Sequence, residues 1–281
     1  MTVNSHDFDA FSAAIRGADH EVDLFGAAMV IARLGDPEAD SHATASRLDV
    51  MAEEARAYAG ERADDHALAH AVEYQLFSVC GFRGNTEDYA DPRNSYLDQV
   101  VARRIGIPIT LSLVYMEVAQ RVGLLCDGIG FPGHFIVRYG GVDDPTYVDP
   151  FQQGARIDRQ ELLARLRTHQ IGSATPESFL AAVTRRQILQ RVLNNLHMSF
   201  RERRDLQRWL DIVELQHRLE PWNAILIGER GMLHYRLGNL DAAMQDLEAY
   251  VSASERPEVN PGAIRLLDQL RLRYGGLGET R

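Results

Sequence analysis

The chain is predicted to be an α+β protein: a helical N-terminal region, then one helix followed by an antiparallel meander, then an all-α repeat region. Three observations carry this. Apolar residues recur at helical spacing on both sides of a single block of alternating ones, residues 125 to 149. A 34-residue period runs through the C-terminal part, and no strand signal follows Thr175. Two domains are expected, residues 1–175 and residues 176–281.

Residues 7 to 34 read as two short helices; the second places Val22, Phe25, Met29 and Ala32 on one stripe and is closed by Gly35 and Pro37. Residues 43 to 59 repeat the pattern through Leu48, Met51, Ala55 and Tyr58, and residues 64 to 79 form a further helix ending at Cys80-Gly81-Phe82. A polar turn-rich loop, RGNTEDYADPRN, leads to a short helix from Ser95 to Arg104. Pro108 suits the first position of the next helix, because its missing N–H would be unpaired there anyway. In it Ile109, Leu113, Met116, Ala119 and Val122 make one buried face, and Gly123 ends it.

Three strands follow: Leu125 to Gly130, His134 to Tyr139, and Thr146 to Asp149, the last two joined by a glycine and aspartate turn over residues 140–145. Residues 150–154 read as a turn, and residues 158–167 as an amphipathic helix capped by Asp158. At a period of 34, Leu193 aligns with Ile227, Asp205 with Asn239, Trp209 with Ala243 and Val213 with Leu247, which is the spacing of a tetratricopeptide repeat. The second copy holds Gly231, Gly238, Ala243 and Leu247 where small or apolar residues are wanted; Trp209 makes the first copy a weak one. Leu266, Leu267, Leu270 and Leu272 in the last helix are expected to cap the stack.

With 45% hydrophobic residues the chain can bury a substantial core. Its N-terminus lacks the basic flank and apolar run of a signal peptide, and no apolar segment approaches the ~20 residues of a membrane helix. A cytoplasmic protein with no membrane association is expected. The net charge of −10 is uneven: residues 1 to 100 hold 19 acids and 7 bases, the remainder 21 and 23. An acidic front and a balanced back argue against nucleic acid as partner, since such binding needs clustered cations. All thirty bases are arginine. Cys80 and Cys126 stand in no disulfide or zinc spacing, and both read as packing residues. His66 and His70 have the i, i+4 spacing of metal ligands but no third ligand, so they read as solvated helix histidines, with no metal and no cofactor expected. The run Arg185, Arg186, Arg191, Arg201, Arg203, Arg204 and Arg208 is either a solvated face or a surface for an acidic partner, the acidic front of this chain included.

His134 and Asp149 are the sharpest candidate site. A hairpin sets the start of one strand beside the end of the next, so the two should be neighbours. The preceding helix runs ~21 Å and the returning strand ~20 Å, which brings the helix start to the same end. An imidazole, a carboxylate to hold its tautomer, and a helix N-terminus favouring an anion then converge. Thr110 and Ser112, early in that helix, are the candidate nucleophiles, set against the plainer reading in which each hydroxyl bonds a backbone carbonyl. Cys126 falls at the far strand end, ~15 Å or more away. Asn94, Ser95 and Tyr96 are candidates for the binding rim, with helix capping by Ser95 as the alternative.

The phrases GIPITLS, PGHFIVR and VDPF resemble the transglutaminase-like superfamily, the fold of papain-like cysteine enzymes, and are most similar to its bacterial SirB-type branch, in which such a core precedes tetratricopeptide repeats. The resemblance implies a papain- or transglutaminase-like helix and meander. It also implies that His134 and Asp149 match the second and third catalytic positions. The cysteine position falls near Pro108 or Ile109, neither a nucleophile. The expectation is therefore a noncatalytic domain that binds or scaffolds, with a protein or peptide partner on the repeats. The alternative is an amide hydrolase or acyl transferase using Thr110 or Ser112 with His134 and Asp149. A third reading keeps the His–Asp pair only to fasten two strands.

Overall fold

Around Pro108–Val122 the first compact unit is built. The structure, a computed structural model, describes residues 5–141, 144–167, 175–253 and 261–274. Its contacts divide the chain into Ala13–Asn195 and a second unit made of Met1–Ser12 with Leu196–Arg281. The division falls at Asn195, beyond the 175/176 boundary read from the sequence, and assigns the first residues to the C-terminal unit. The reason for the later boundary is that the first turns of a long helix, residues 185–195, pack on the sheet of the first unit.

In chain order the helices are α1 (Ser5–Ala14), α2 (Leu24–Arg33), α3 (Ser41–Ala59), α4 (Asp65–Glu73), α5 (Leu97–Arg103), α6 (Pro108–Val122), α7 (Arg159–Arg167), α8 (Arg185–Arg203), α9 (Leu206–Leu219), α10 (Ala224–Arg236), α11 (Leu240–Ala253) and α12 (Pro261–Tyr274). The α4 helix runs on into a π-helical turn, Tyr74–Val79. The strands are β1 (Arg83–Gly84), β2 (Ile105–Gly106), β3 (Cys126–Ile129), β4 (Ile136–Tyr139), β5 (Thr146–Asp149) and β6 (Ala155–Ile157). Among the described residues no helix is long and apolar enough to cross a membrane.

Every residue of α6 from Pro108 to Tyr115 is buried, as are Glu117, Val118, Ala119 and Val122, whereas Met116 is only half-buried. The single apolar face expected from the spacing is thus a helix surrounded on nearly all sides, by α3, α4 and α5 and by β3 and β4. Gly123, at φ +85°, ends it in the left-handed cap that glycine adopts without a Cβ penalty.

The sheet is an antiparallel meander in the order β3-β4-β5-β6, with Gly128 opposite Val137, Val137 opposite Val148 and Val148 opposite Arg156. The fourth strand replaces the expected end of the meander. Three residues are too few to display alternation, and Gln153 and Gly154, both with positive φ, turn the chain back to make it. One sheet face lies on α6; the other carries Ile136, Tyr147 and Ile157, packed with Leu162, Leu163 and Leu166 of α7. Asp158 accepts from the Gln160 N–H at 2.7 Å and so starts α7. The two-residue parallel pair β1–β2 was not foreseen. The turn between β4 and β5 lies partly outside the described residues.

In the second unit the 34-residue period is visible as structure, since α9 and α11 are offset by it at both ends. Gly228 and Gly231 on α10 let α11 approach closely: a Cβ at Gly228 would lie 2.9 Å from the Tyr250 ring, and one at Gly231 would lie 3.0 Å from Leu247. Leu266, Leu267 and Leu270 of α12 pack with Ala243, Leu247 and Tyr250. Leu272, expected to join them, is 87% exposed. Arg230 ties three helices, donating to Asp246 through Nε at 2.8 Å and Nη2 at 2.7 Å and to Glu214 at 2.6 Å. Burial works against its charge, but these acceptors outweigh it and hold the guanidinium above its usual range. Arg218 donates to Ser12 Oγ at 2.9 Å and lies over the Phe8 ring, which is why the first residues group with this unit.

Asp211 on α9 is buried, and that burial pushes its carboxyl up to about 6 against the Gln207 hydrogen bond that lowers it. The native state therefore holds this proton at higher pH than the unfolded chain does. Between about pH 4 and 6 the second unit loses stability as pH rises, by an amount on the order of 3 kcal/mol. Asp211→Asn is expected to be more stable than the parent at pH 7 and equal to it near pH 3.5. Urea unfolding followed by tryptophan fluorescence checks this, because both tryptophans, Trp209 and Trp222, lie in this unit.

Candidate functional site

Asp149 ends β5 and has almost no solvent exposure, 1%. One carboxylate oxygen, Oδ1, caps the turn that follows, accepting from Phe151 N at 3.0 Å and Gln152 N at 3.2 Å. The other, Oδ2, lies 2.6 Å from His134 Nε2. An ionised carboxylate only accepts, so Nε2 carries the proton and Nδ1 is left as the working nitrogen.

His134 sits two residues before β4. It is the last residue of the turn Phe131–His134, closed by His134 N donating to Phe131 O at 3.0 Å. Pro132 supplies the fixed φ of the second position and Gly133, at φ +69°, the left-handed third position, a type II arrangement. The His134 ring is 20% exposed and packs edge-on to Phe151, centroids 6.0 Å apart. It opens on a cleft of about 790 Å³ walled by Phe131, Phe151 and Ile157 and bordered by Glu161 and Arg165 of α7, themselves paired at 2.6 Å. The volume lies in the range of small-molecule and peptide side-chain sites.

The candidate nucleophiles are elsewhere. Thr110 is 1% exposed; its hydroxyl donates to Asn94 O at 2.6 Å and accepts from Ile107 N at 3.2 Å, satisfying an orphan N–H at the start of α6. Ser112 is wholly buried and donates to Phe135 O at 3.3 Å. Neither lines the cleft or bonds His134 among the described residues. Cys126, at the β3 end paired with Tyr139, is remote from His134 along the ladder. Burial, with the charges of Asp127 and Glu117 adding to it, pushes its thiol up to about 12. Cys80 is buried, whereas Cys126 is half-buried; the Cys80 thiol is raised by burial and accepts from Gln75 at 3.5 Å.

Asn94, Ser95 and Tyr96, expected at the rim, are interior, with exposures of 0, 5 and 3%. Asn94 clamps the loop before it: Nδ2 donates to Asp88 O at 2.8 Å and Tyr89 O at 3.3 Å, and Oδ1 accepts from Asn85 at 3.0 Å. Tyr96, not Ser95, occupies the position before α5, without a side-chain cap. Rim residues that the sequence reading missed are Phe151, Glu161 and Arg165; only the nearness of Phe151 to Asp149 in the chain was a signal. His66 and His70 are exposed and face aromatic rings, His66 edge-on to Tyr139 and His70 stacked on Tyr58. Among the described residues no group of three or more His, Cys, Asp or Glu is placed to hold a metal ion.

A family model described as transglutaminase-like superfamily matches residues 42–194, and one described as tetratricopeptide repeat matches residues 196–270. The chain belongs to the transglutaminase-like superfamily. Its relatives include a UPF0162 protein of Xylella fastidiosa (strain Temecula1), 35% identical over 237 residues that cover 83% of this chain and 84% of the relative. A UPF0162 protein of Vibrio cholerae is 25% identical over 254 residues, 89% of each chain. F-box only protein 21 of Mus musculus is 30% identical over 180 residues, 60% of this chain and 28% of that protein. The transglutaminase-like core thus spans α3 to the first half of α8, and the repeats take over at the same point as the contact division.

Asn94→Ala is expected to release the 85–94 loop and lower stability by roughly 1–3 kcal/mol, since one donor and two carbonyl acceptors lose the buried amide that pairs them. Chemical denaturation followed by circular dichroism checks it; a change within about 0.5 kcal/mol would contradict the clamp.

Proposed function

We propose that this transglutaminase-like protein is noncatalytic and acts as a cytoplasmic binding or scaffold protein. Its His134–Asp149 cleft holds a ligand, and its helical repeats hold a protein or peptide partner. One observation carries the reading: the hydroxyls of Thr110 and Ser112 are spent on backbone carbonyls inside the core, so among the described residues the imidazole has a carboxylate behind it and no nucleophile before it. Nucleophilic catalysis needs the attacking atom within hydrogen-bond reach of its base. Neither Ser, Thr, Cys nor Lys is among the described residues that line the cleft.

The cleft retains what binding requires: aromatic walls, one oriented imidazole and a bordering ion pair. For the repeats the support is general, in that stacked helical pairs present extended surfaces to peptides and helices. Trp222 and Ile225 of the second unit, 77% and 73% exposed, are apolar residues that such a partner would cover.

The expected outcome with hydroxyl-directed electrophiles, a fluorophosphonate and an acylating β-lactone, is no labelling of the full chain at Thr110 or Ser112. Labelling there that disappears in His134→Ala would overturn the noncatalytic reading in favour of an amide hydrolase or acyl transferase. For the repeats, a partner that co-purifies with the full chain is expected to be lost in Trp222→Ala with Ile225→Ala and kept in His134→Ala; the reverse pattern would contradict the assignment.

A further inference from the structure

Arg191 stands out from the arginine run. It is carried by α8 and is only partly exposed, yet the acceptors of its hydrogen bonds are carbonyl oxygens rather than a carboxylate: Nη1 donates to His134 O at 3.0 Å and to Phe131 O at 3.4 Å. These are the last and first residues of the turn that presents His134. The guanidinium lies over the Phe135 ring, 5.6 Å from its centroid. A Cβ on Gly130 would come within 3.1 Å of Arg191 Nη2 and 2.8 Å of Val183, so the glycine leaves the room the guanidinium occupies. The α8 end is itself fixed: Asp19 accepts from Arg185 N at 2.9 Å and Arg186 N at 3.1 Å, and Val183 N donates to Gly128 O at 2.9 Å. Burial holds the Arg191 guanidinium below its usual range. A partly desolvated cation with no carboxylate partner among the described residues is costly for the fold alone. Its position is accounted for by what it holds.

We infer that Arg191 is a positioning residue: by clasping both ends of the Phe131–His134 turn it keeps the His134 ring on Asp149, and so presents Nδ1 to the cleft in a single tautomer. The inference rests on the reading of the His134–Asp149 cleft as the binding site. Arg191 touches no ligand in it and acts through the backbone of His134. Without the clasp the turn keeps only its own Phe131 O to His134 N bond, and the ring gains freedom to leave the carboxylate, after which either nitrogen can carry the proton.

The test uses ring-nitrogen NMR of His134 in the full chain, with its resonances assigned by loss in His134→Ala, at a pH where the imidazole is neutral. The parent is expected to show one protonated Nε2 and one bare Nδ1. In Arg191→Met, which keeps the stem on Phe135 and removes the donors, the two nitrogens are expected to shift toward averaged values and the Nε2 proton signal to be lost. Arg191→Lys, with one donor group in reach of the carbonyls, is expected to restore the parent pattern in part. Backbone amide shifts of β3 and β5 serve as the fold control. If Arg191→Met keeps both the sheet and the unaltered His134 pattern, Arg191 is not a positioning residue. If the parent itself shows mixed tautomers, the His134–Asp149 reading fails first, so the two failures are told apart.

Discussion

One buried carboxylate organises the site and the end of the sheet together. Asp149 has 1% exposure, and its charge is matched by two backbone N–H groups of the following turn and by His134 Nε2. A carboxylate so placed depends on each partner, because removing one leaves a buried oxygen short of a hydrogen bond. The same hydrogen bonds that satisfy Asp149 therefore stop β5, start the turn that leads to β6, and set the imidazole. Phe151, fixed by donating to Asp149, becomes the wall against which the His134 ring rests.

Placed against this pair, the start of α6 is a structural joint. Thr110 links the Ile107 N–H and the Asn94 carbonyl, so the hydroxyl that stands closest in sequence to the implied cysteine position completes the helix instead of facing the imidazole. Ser112, two residues further along the helix, is likewise spent on backbone, donating to the carbonyl of Phe135, the neighbour of His134. On the noncatalytic reading proposed above, the cleft holds an imidazole oriented by a carboxylate, while the two hydroxyls at the start of α6 serve helix packing. Arg191 then belongs to the same set as Asp149: one holds the ring and the other holds the backbone beneath it.

Much of this was legible in the sequence wherever a pattern is periodic. The helices follow their apolar spacing, α6 begins at Pro108 and ends at Gly123, and the period of 34 reappears in α9 and α11. The adjacency of His134 and Asp149 followed from the hairpin and appears as their 2.6 Å hydrogen bond. What periodicity does not encode was missed. β1, β2 and β6 have two or three residues each, too short for alternation. The all-round burial of α6 depends on elements distant in sequence. Asn94, Ser95 and Tyr96 are polar or amphipathic residues in a loop, which favours a surface reading; their burial follows from the clamp of Asn94 on backbone carbonyls. Arg185 and Arg186, read as a solvated face or as facing the acidic front of this chain, bind Asp19 and the carbonyls of Gly17, His20 and Val22 in that front, whereas Arg191 binds the carbonyls of Phe131 and His134, because a guanidinium satisfies backbone acceptors as well as carboxylates.

The central claim is that the Thr110 hydroxyl serves the fold and has no working relation to His134. A double-mutant cycle on Thr110→Val and His134→Ala, with the stability of the full chain as readout, tests it most directly. Residues without shared partners add, so the account predicts a coupling within about 0.5 kcal/mol, with Thr110→Val alone clearly destabilising. A coupling well above 1 kcal/mol would mean that hydroxyl and imidazole act together, and would contradict it.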